Sequence, residues 1–360
     1  MSIFNNKFLR WGMLVLSVFI LIVIIYISYL FISYKRIPDN QILEVENNSK
    51  NMVSVSKSYT IMTSNVGFGA YSQDFTFFMD GGKESVGRSK EEVTENINGS
   101  MELVDKFSPD FILFQEVDLN STRSYHINQY EMIKNKFSEY ATVKAVNYDS
   151  AFLFYPFTKP HGKSLASTVL LSNNKVESAI RRSLPIAKDI NKFFDLDRCY
   201  SVSSFLMDNG KKLNIYNVHL SAYGGNPQIR EAQMNMLFED MNEKYKNGEY
   251  IICGGDFNHD MMGNSLKLLN KADNLEFEWT HPFPFEMLPK GFSVCNKYTE
   301  SPLIPTARSC NKPYEKDESI VYIIDGFIIS DNIVCESIKN IDNEFLFSDH
   351  NPVYMKFKFI

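Results

Sequence analysis

Gly254-Gly255-Asp256-Phe257-Asn258-His259-Asp260 directly follows the apolar run Tyr250-Ile251-Ile252-Cys253. The run predicts a buried strand, which delivers Asp256 and Asn258 to its carboxyl end. In an extended chain, residues two apart point to the same face. A carboxylate beside an amide suits a hard cation or a phosphate oxygen. The same residues also suit a turn in which Asp and Asn cap backbone groups. The stretch by itself leaves both readings open; the rest of the chain decides between them.

Outward from it, apolar runs predict strands at 59–66, 111–114, 168–172, 213–219, 250–255, 321–329 and 352–358. A helix is expected within 89–107, stopped by Ser108-Pro109. Another runs from Pro227 to about Tyr245, with Ile229, Met236, Leu237 and Met241 as its apolar stripe and Gly248 beyond its end. Strands that do not strictly alternate with helices favour two packed sheets with outer helices over a doubly wound parallel sheet. At or just after the strands stand Asn65, Glu116, His219, Asp256 with Asn258, Asp325, and Asp349 with His350. Each has a structural reading: a turn former, a helix start, a core histidine, a cap. Those readings are independent, and needing all of them at once, always at a strand end, points instead to one assembled site.

The motifs that carry these residues are Ser64-Asn65-Val66, Phe114-Gln115-Glu116-Val117, Asn217-Val218-His219-Leu220, Gly255-Asp256-Phe257-Asn258, Ile324-Asp325-Gly326-Phe327-Ile328 and Ser348-Asp349-His350-Asn351-Pro352-Val353. In this order, over about residues 58 to 360, the chain resembles the endonuclease/exonuclease/phosphatase superfamily. That group includes DNase I-like nucleases, inositol-polyphosphate phosphatases and neutral sphingomyelinases. The resemblance implies an α/β fold, a four-layer α/β/β/α sandwich with its site at one edge, and a metal-dependent phosphoesterase. Gly326, where many relatives carry an aromatic residue, and His259 after the Asp-Phe-Asn triplet depart from the pattern at the periphery.

The chemistry fits. A phosphate ester is anionic and repels attacking water, so a divalent ion on Glu116 would stabilise the developing charge. Few carboxylates plus waters suit Mg²⁺, or a related ion such as Mn²⁺. Asn65 and Asp349 are expected to complete the metal site. His350 is expected as the base, with Asp325 on its other ring nitrogen. Asp256 would orient the water, Asn258 contact the phosphate, and His219 serve a phosphoryl oxygen or the leaving group. Lys163, Arg182, Arg198, Arg230 and Arg308 are further candidates for substrate phosphate, as are His161 and His259 for substrate contact.

The 360-residue chain has a formal net charge of −6 and a pI of 5.6, which argues against a broad basic face for nucleic acid. Its five cysteines are scattered without a CxxC pair, so neither a zinc site nor a disulfide framework is expected. From Trp11 to Tyr34 no residue is charged. About twenty such residues span a bilayer's hydrocarbon layer, and the bulky exit sequence favours an uncleaved anchor over a signal peptide. The expected organisation is a tail (1–10), a transmembrane helix (11–34), a polar linker acting as a tether (35–57) and the catalytic domain (58–360). The basic residues lean to a cytoplasmic N-terminus and an extracytoplasmic catalytic domain in a single-pass protein. Three aromatic stretches, 75–79, 152–157 and 281–285, fall between motifs; exposed they would meet lipid or an apolar cleft, and buried they are core. The expected substrate is a phospholipid or phosphoinositide. A nuclease is the alternative, and a non-catalytic tethered binding module a further one. No protein partner is implied.

Overall fold

The computed structural model describes residues 7–222, 227–270, 280–299 and 301–360; residues 1–6 of the expected tail lie outside it. The chain begins with α1 (Lys7–Ser33), a little longer than expected and including Lys7 and Arg10. It is long and apolar enough to cross a membrane. Its apolar side chains are exposed nearly all round, unlike those of a core helix.

The elements that follow are β1 (Gln41–Ile42), β2 (Val45–Glu46), β3 (Ser58–Asn65), α2 (Lys90–Asp105), β4 (Phe111–Asp118), α3 (Gln129–Lys136), β5 (Ala141–Asp149) and β6 (Leu165–Ser172). Next come β7 (Ser178–Ser183), β8 (Cys199–Leu206), β9 (Lys212–His219), α4 (Pro227–Lys246) and β10 (Tyr250–Asp256). The C-terminal third holds β11 (His259–Asp260), α5 (Ser265–Leu269), β12 (His281–Pro282), β13 (Phe292–Val294), β14 (Ala307–Arg308) and β15 (Val321–Tyr322). It closes with β16 (Asp325–Ser330), β17 (Ile333–Asn340) and β18 (Val353–Phe359).

Two seven-stranded sheets form, in the orders β1-β7-β8-β9-β10-β16-β13 and β17-β18-β3-β4-β6-β5-β2. Both faces of the central strands are covered, so their apolar residues fall on both faces, as in the run Phe111–Phe114 of β4. In β4, Phe111 and Leu113 face the inter-sheet core with Ile215, Ile252 and Met355. Ile112 and Phe114 face outward, onto Ile97, Met101 and Val104 of α2. On the other sheet, Met234, Leu237, Phe238 and Met241 of α4 cover Tyr216, Val218, Ile251 and Cys253. The expected stripe of α4 is therefore rotated: Ile229 and Met236 are only half-buried, at the edges of the true face.

Two expectations need correction. The segment 35–57 is not a free tether: β1 adds an edge strand to one sheet through Ile180 and Arg181, and β2 to the other through Thr142 and Val143. Leu43 and Val53 are buried in the core. Edge pairing uses backbone groups, which leave no hydrophobic pattern to read. The cysteines are also not all free. Cys295, beyond β13, is disulfide-bonded to Cys335 of β17, with Cα atoms 6.2 Å apart, joining edges of the two sheets. A separation of 40 residues gave no local motif.

Glycine is obligatory at one position beside the site. Gly255 has φ +141°, and a Cβ there would lie 2.1 Å from the Val218 carbonyl oxygen. Gly255→Ala is expected to push β10 away from β9 and to lower the thermal midpoint sharply. A melting curve matching the parent's would refute this reading of the strand contact.

Candidate active site

Three neighbouring strands of each sheet bring their ends to one edge. In the first sheet, Asp256 at the end of β10 is in register with His219 of β9 and Asp325 of β16. In the second, Asn65 ends β3 beside Gln115-Glu116 of β4, and Asp349-His350 lead into β18. A bulge in β4 falls between Phe114 and Val117. There Glu116 takes a left-handed backbone, φ +57°, as does Asn258 at +51°. For residues with a Cβ this conformation is costly, and it persists where the surroundings enforce it. All eight sequence-predicted site residues are thus brought to one edge.

The residues between them explain the rest of each motif. Gln115 Nε2 donates to Asn217 Oδ1 at 2.8 Å, and Asn217 Nδ2 donates to the carbonyls of Phe114 and Val169. This buried polar bridge locks β9 to β4 across the sandwich. Ser348 Oγ donates to the Asn65 carbonyl at 2.9 Å and accepts from the His350 N–H. Thr306 Oγ1 accepts from the N–H groups of Ile324 and Asp325.

Asn65 is central. Its Oδ1 accepts from the Gly67 N–H at 3.0 Å, which turns Nδ2 toward Asp256 Oδ2 (3.0 Å) and Glu116 Oε1 (3.2 Å). The amide therefore presents a donor to the site, and its oxygen is not offered to a cation. Asp256 Oδ1 accepts from the Asn258 N–H at 2.9 Å, while Asn258 Nδ2 donates to the Leu220 carbonyl at 2.7 Å. His350 Nδ1 and Asp325 Oδ2 are 2.8 Å apart. His350 Nε2 lies 3.8 Å from Asp256 Oδ2. His219 Nε2 lies 3.7 Å from the same oxygen and 3.9 Å from Glu116 Oε1.

Burial, reinforced by the nearby Asp325 carboxylate, pushes Asp256 up to about 7. Burial also raises Glu116; Asp349 adds to this while Arg123 opposes it. His350 is lifted well above the usual imidazole range, because Asp325, Asp349 and Asp256 outweigh its burial. His219 is pushed well below that range by burial and by the positive charge of Arg198, His350 and Arg123. Without a cation, the site thus favours a charged His350 beside an Asp256 that holds its proton more tightly than an ordinary carboxylate. This distribution runs against the expected assignment of His350 as base.

Glu116, His219, Asp256, Asn258, Asp349 and His350 line a cavity of about 1000 Å³. Of the weaker candidates, Arg198, Arg230, Arg308 and His161 line it. Burial lowers His161 to about 4, and its Nδ1 contacts the Ser85 carbonyl at 2.8 Å. Lys163 is exposed near Asp149, Arg182 pairs with Asp39 and Asp240, and His259 turns back on its own Phe257 carbonyl. Arg123 is among the lining residues that had no sequence signal. Arg123 pairs with Asp118 at 2.8 Å, lies 3.9 Å from the Phe68 ring centroid and faces the cavity. Removing one partner of such a buried pair costs about 3–5 kcal/mol. Arg123→Ala is therefore expected to destabilise the domain by that order in chemical denaturation; a loss below about 1 kcal/mol would show that the pair is not a structural element.

The aromatic stretches divide. Phe75, Phe77 and Phe283 are buried, as expected of core, whereas Phe154, Tyr155 and Phe157 are exposed at the cavity rim.

No curated protein matches the sequence. Among solved structures, an endonuclease/exonuclease/phosphatase from Beutenbergia cavernae DSM 12333 superposes with a TM-score of 0.59 at 12% identity, covering 84% of this chain and 72% of that one. One from Bacteroides vulgatus gives 0.53 at 14% identity, over 84% and 100%. The human Nocturnin catalytic domain, solved with a bound sulfate anion, gives 0.54 at 14% identity, over 88% and 97%. At these identities the likeness is one of fold, the two-sheet sandwich described above. The sequence profile of the Endonuclease/Exonuclease/phosphatase family matches residues 62–307. With this match across most of the catalytic sandwich, the chain belongs to the endonuclease/exonuclease/phosphatase family and is a metal-dependent phosphoesterase.

Proposed function

We propose that this phosphoesterase is anchored in a membrane by α1 and hydrolyses a phospholipid or phosphoinositide with the help of Mg²⁺ or Mn²⁺. The observation that carries the reading is the composition of the cavity wall. The cavity is lined by His219, Asp256, His350 and Glu116 together with Phe77, Phe154, Phe157 and Tyr26 of the apolar helix itself. Charged and aromatic groups lining one cavity fit a molecule with a phosphate at one end and apolar substance at the other.

The donor set fits a divalent cation. The Asp349 carboxylate raises Glu116, and both line the cavity. With waters they make the carboxylate-poor set that suits Mg²⁺. When bound, the ion neutralises a phosphate oxygen. Asn65 supports it indirectly, by orienting Glu116 and Asp256. A second group, Asp256, Asp325 and His350, also has potential ligand atoms within 4.8 Å of one another. Its Asp325–His350 hydrogen bond makes it a proton-handling dyad instead. Asp256, held by Asn65 and Asn258, takes the proton of the attacking water. His350, protonated, donates Nε2–H to a phosphoryl oxygen or the leaving group, its ring oriented and its charge favoured by Asp325. His219, uncharged, donates to the phosphate. Arg198 and Arg308, each with a buried Nε lacking a partner among the described residues, supply cations for it.

The substrate panel that tests this uses the full chain in vesicles with a sphingomyelin-type lipid, a phosphoinositide, duplex DNA, RNA and a generic phosphodiester. Lipid hydrolysis is expected. Cleavage of DNA with both lipids untouched would establish the nuclease reading instead. The Cys295–Cys335 disulfide supports an oxidising, extracytoplasmic location for the domain. Protease added to intact cells is expected to digest it, and full protection would place it inside.

A further inference from the structure

The contact between α1 and the loop 152–157 bears on how substrate reaches the site. Tyr26 Oη donates to the Phe152 carbonyl at 3.1 Å, and the Phe152 N–H donates to Tyr29 Oη at 3.0 Å. Tyr26 and Phe154 meet edge to face with ring centroids 5.0 Å apart. Leu30 is buried with Ala151 and Phe193, and Phe31 packs on Phe193 at 4.8 Å. The loop is thus fixed to the helix through both polar groups of one residue's backbone.

Helix geometry gives the depth of that contact. The apolar run ends at Ile32, followed by Ser33-Tyr34-Lys35-Arg36. At 1.5 Å per residue, Tyr29 lies about 6 Å and Tyr26 about 10 Å below Ser33 along the axis. Interfacial elements bury their apolar faces to about 5–10 Å. The loop carries the side chains such a position requires: Phe154, Tyr155 and Phe157 are 49%, 62% and 83% exposed. Backbone polar groups at that depth cannot turn to water, and for Phe152 the two tyrosine hydroxyls take its place.

We propose that loop 152–157 is inserted in the leaflet from which α1 emerges, and that the cavity opens sideways into that leaflet. Its substrate is then a lipid that never leaves the bilayer: the phosphate reaches Asp256 and His350 while apolar chain lies along Phe77, Leu153, Phe154 and Phe157. The lateral-entry part rests on the phospholipid reading of the site; the insertion part does not. A lipid is favoured over a protein partner because the surface is continuous with a helix that itself requires lipid.

Two measurements on the full chain in phosphatidylcholine vesicles test this. In Phe157→Trp, the fluorescence added over the parent chain, whose own tryptophans are Trp11 and Trp279, is expected to be quenched by lipids brominated high on the acyl chain. Quenching by aqueous iodide and not by brominated lipid would overturn the insertion, whatever the substrate. In Phe154→Ser/Phe157→Ser, hydrolysis of a long-chain phospholipid is expected to fall at least tenfold more than that of a short-chain, water-soluble analogue with the same headgroup. Equal losses on both would overturn lateral entry. Bromolipid quenching in a protein that hydrolyses neither lipid would overturn lateral entry together with the phospholipid reading, and leave the insertion standing.

Discussion

Asp256→Asn is expected to lower turnover by about 10²–10⁴-fold, the scale of a lost general acid–base group, while leaving the fold intact. The substitution keeps the side chain's shape and its contacts with the Asn258 N–H, and removes the proton acceptor. Asp256 is the one residue in register with both His219 and Asp325, and Asn65 holds its second oxygen. His350→Ala should bring a loss of similar order, because Asp256 would then act without its charged neighbour. The parent's pH profile carries a matching signature. A base must be unprotonated, so turnover should fall as pH drops through the Asp256 titration. With the carboxyl raised to about 7 in the absence of a cation, and lowered by a bound one, the acid limb should bend at or below about 7. Near-normal turnover in Asp256→Asn, with an unchanged acid limb, would remove Asp256 as the base and return that role to His350.

Removal of divalent cations by EDTA should abolish hydrolysis, and Mg²⁺ or Mn²⁺ should restore it; Glu116→Gln should not recover. Stability offers a readout independent of activity. Asp256 titrates near 7 in the folded protein, against 3.8 ordinarily. Between those values the folded state keeps a proton that the unfolded chain has released. The cation-free protein therefore loses stability as pH rises through that window, and the contribution is fully present below it. A bound cation favours the charged carboxylates and opposes this trend. Saturation at 100 times Kd contributes about 2.7 kcal/mol, on the order of 5 °C in Tm for a domain of this size. The Mg²⁺-induced rise in Tm should be larger at pH 8 than at pH 5. Hydrolysis that survives EDTA, with no cation effect on Tm at either pH, would eliminate the metal role of Glu116 and Asp349.

The disulfide and the docked segment 35–57 were invisible in sequence for one reason: each is a long-range pairing that leaves no local pattern. Arg123 is similar. Its role depends on Asp118 and the Phe68 ring, and a lone arginine seven residues after Glu116 announces nothing.

What the sequence determined by itself is the set of chemical groups and their attachment to strands. Apolar runs as long as Tyr250–Cys253 have to be buried, and each carries its polar end residue to the rim because backbone extension fixes the direction. That was enough for the two-sheet class and for naming eight candidate residues, which the fold gathers at one edge. The tertiary structure decided what those residues can do. The Gly67 N–H turns the Asn65 amide so that it donates, and burial among charged neighbours shifts the proton affinities of Asp256, Glu116, His219 and His350. The packing of α1 on loop 152–157 places aromatic side chains in the same cavity as the charged groups. Pairwise distance and desolvation exist only once remote segments meet, so no local reading of the chain could have supplied them.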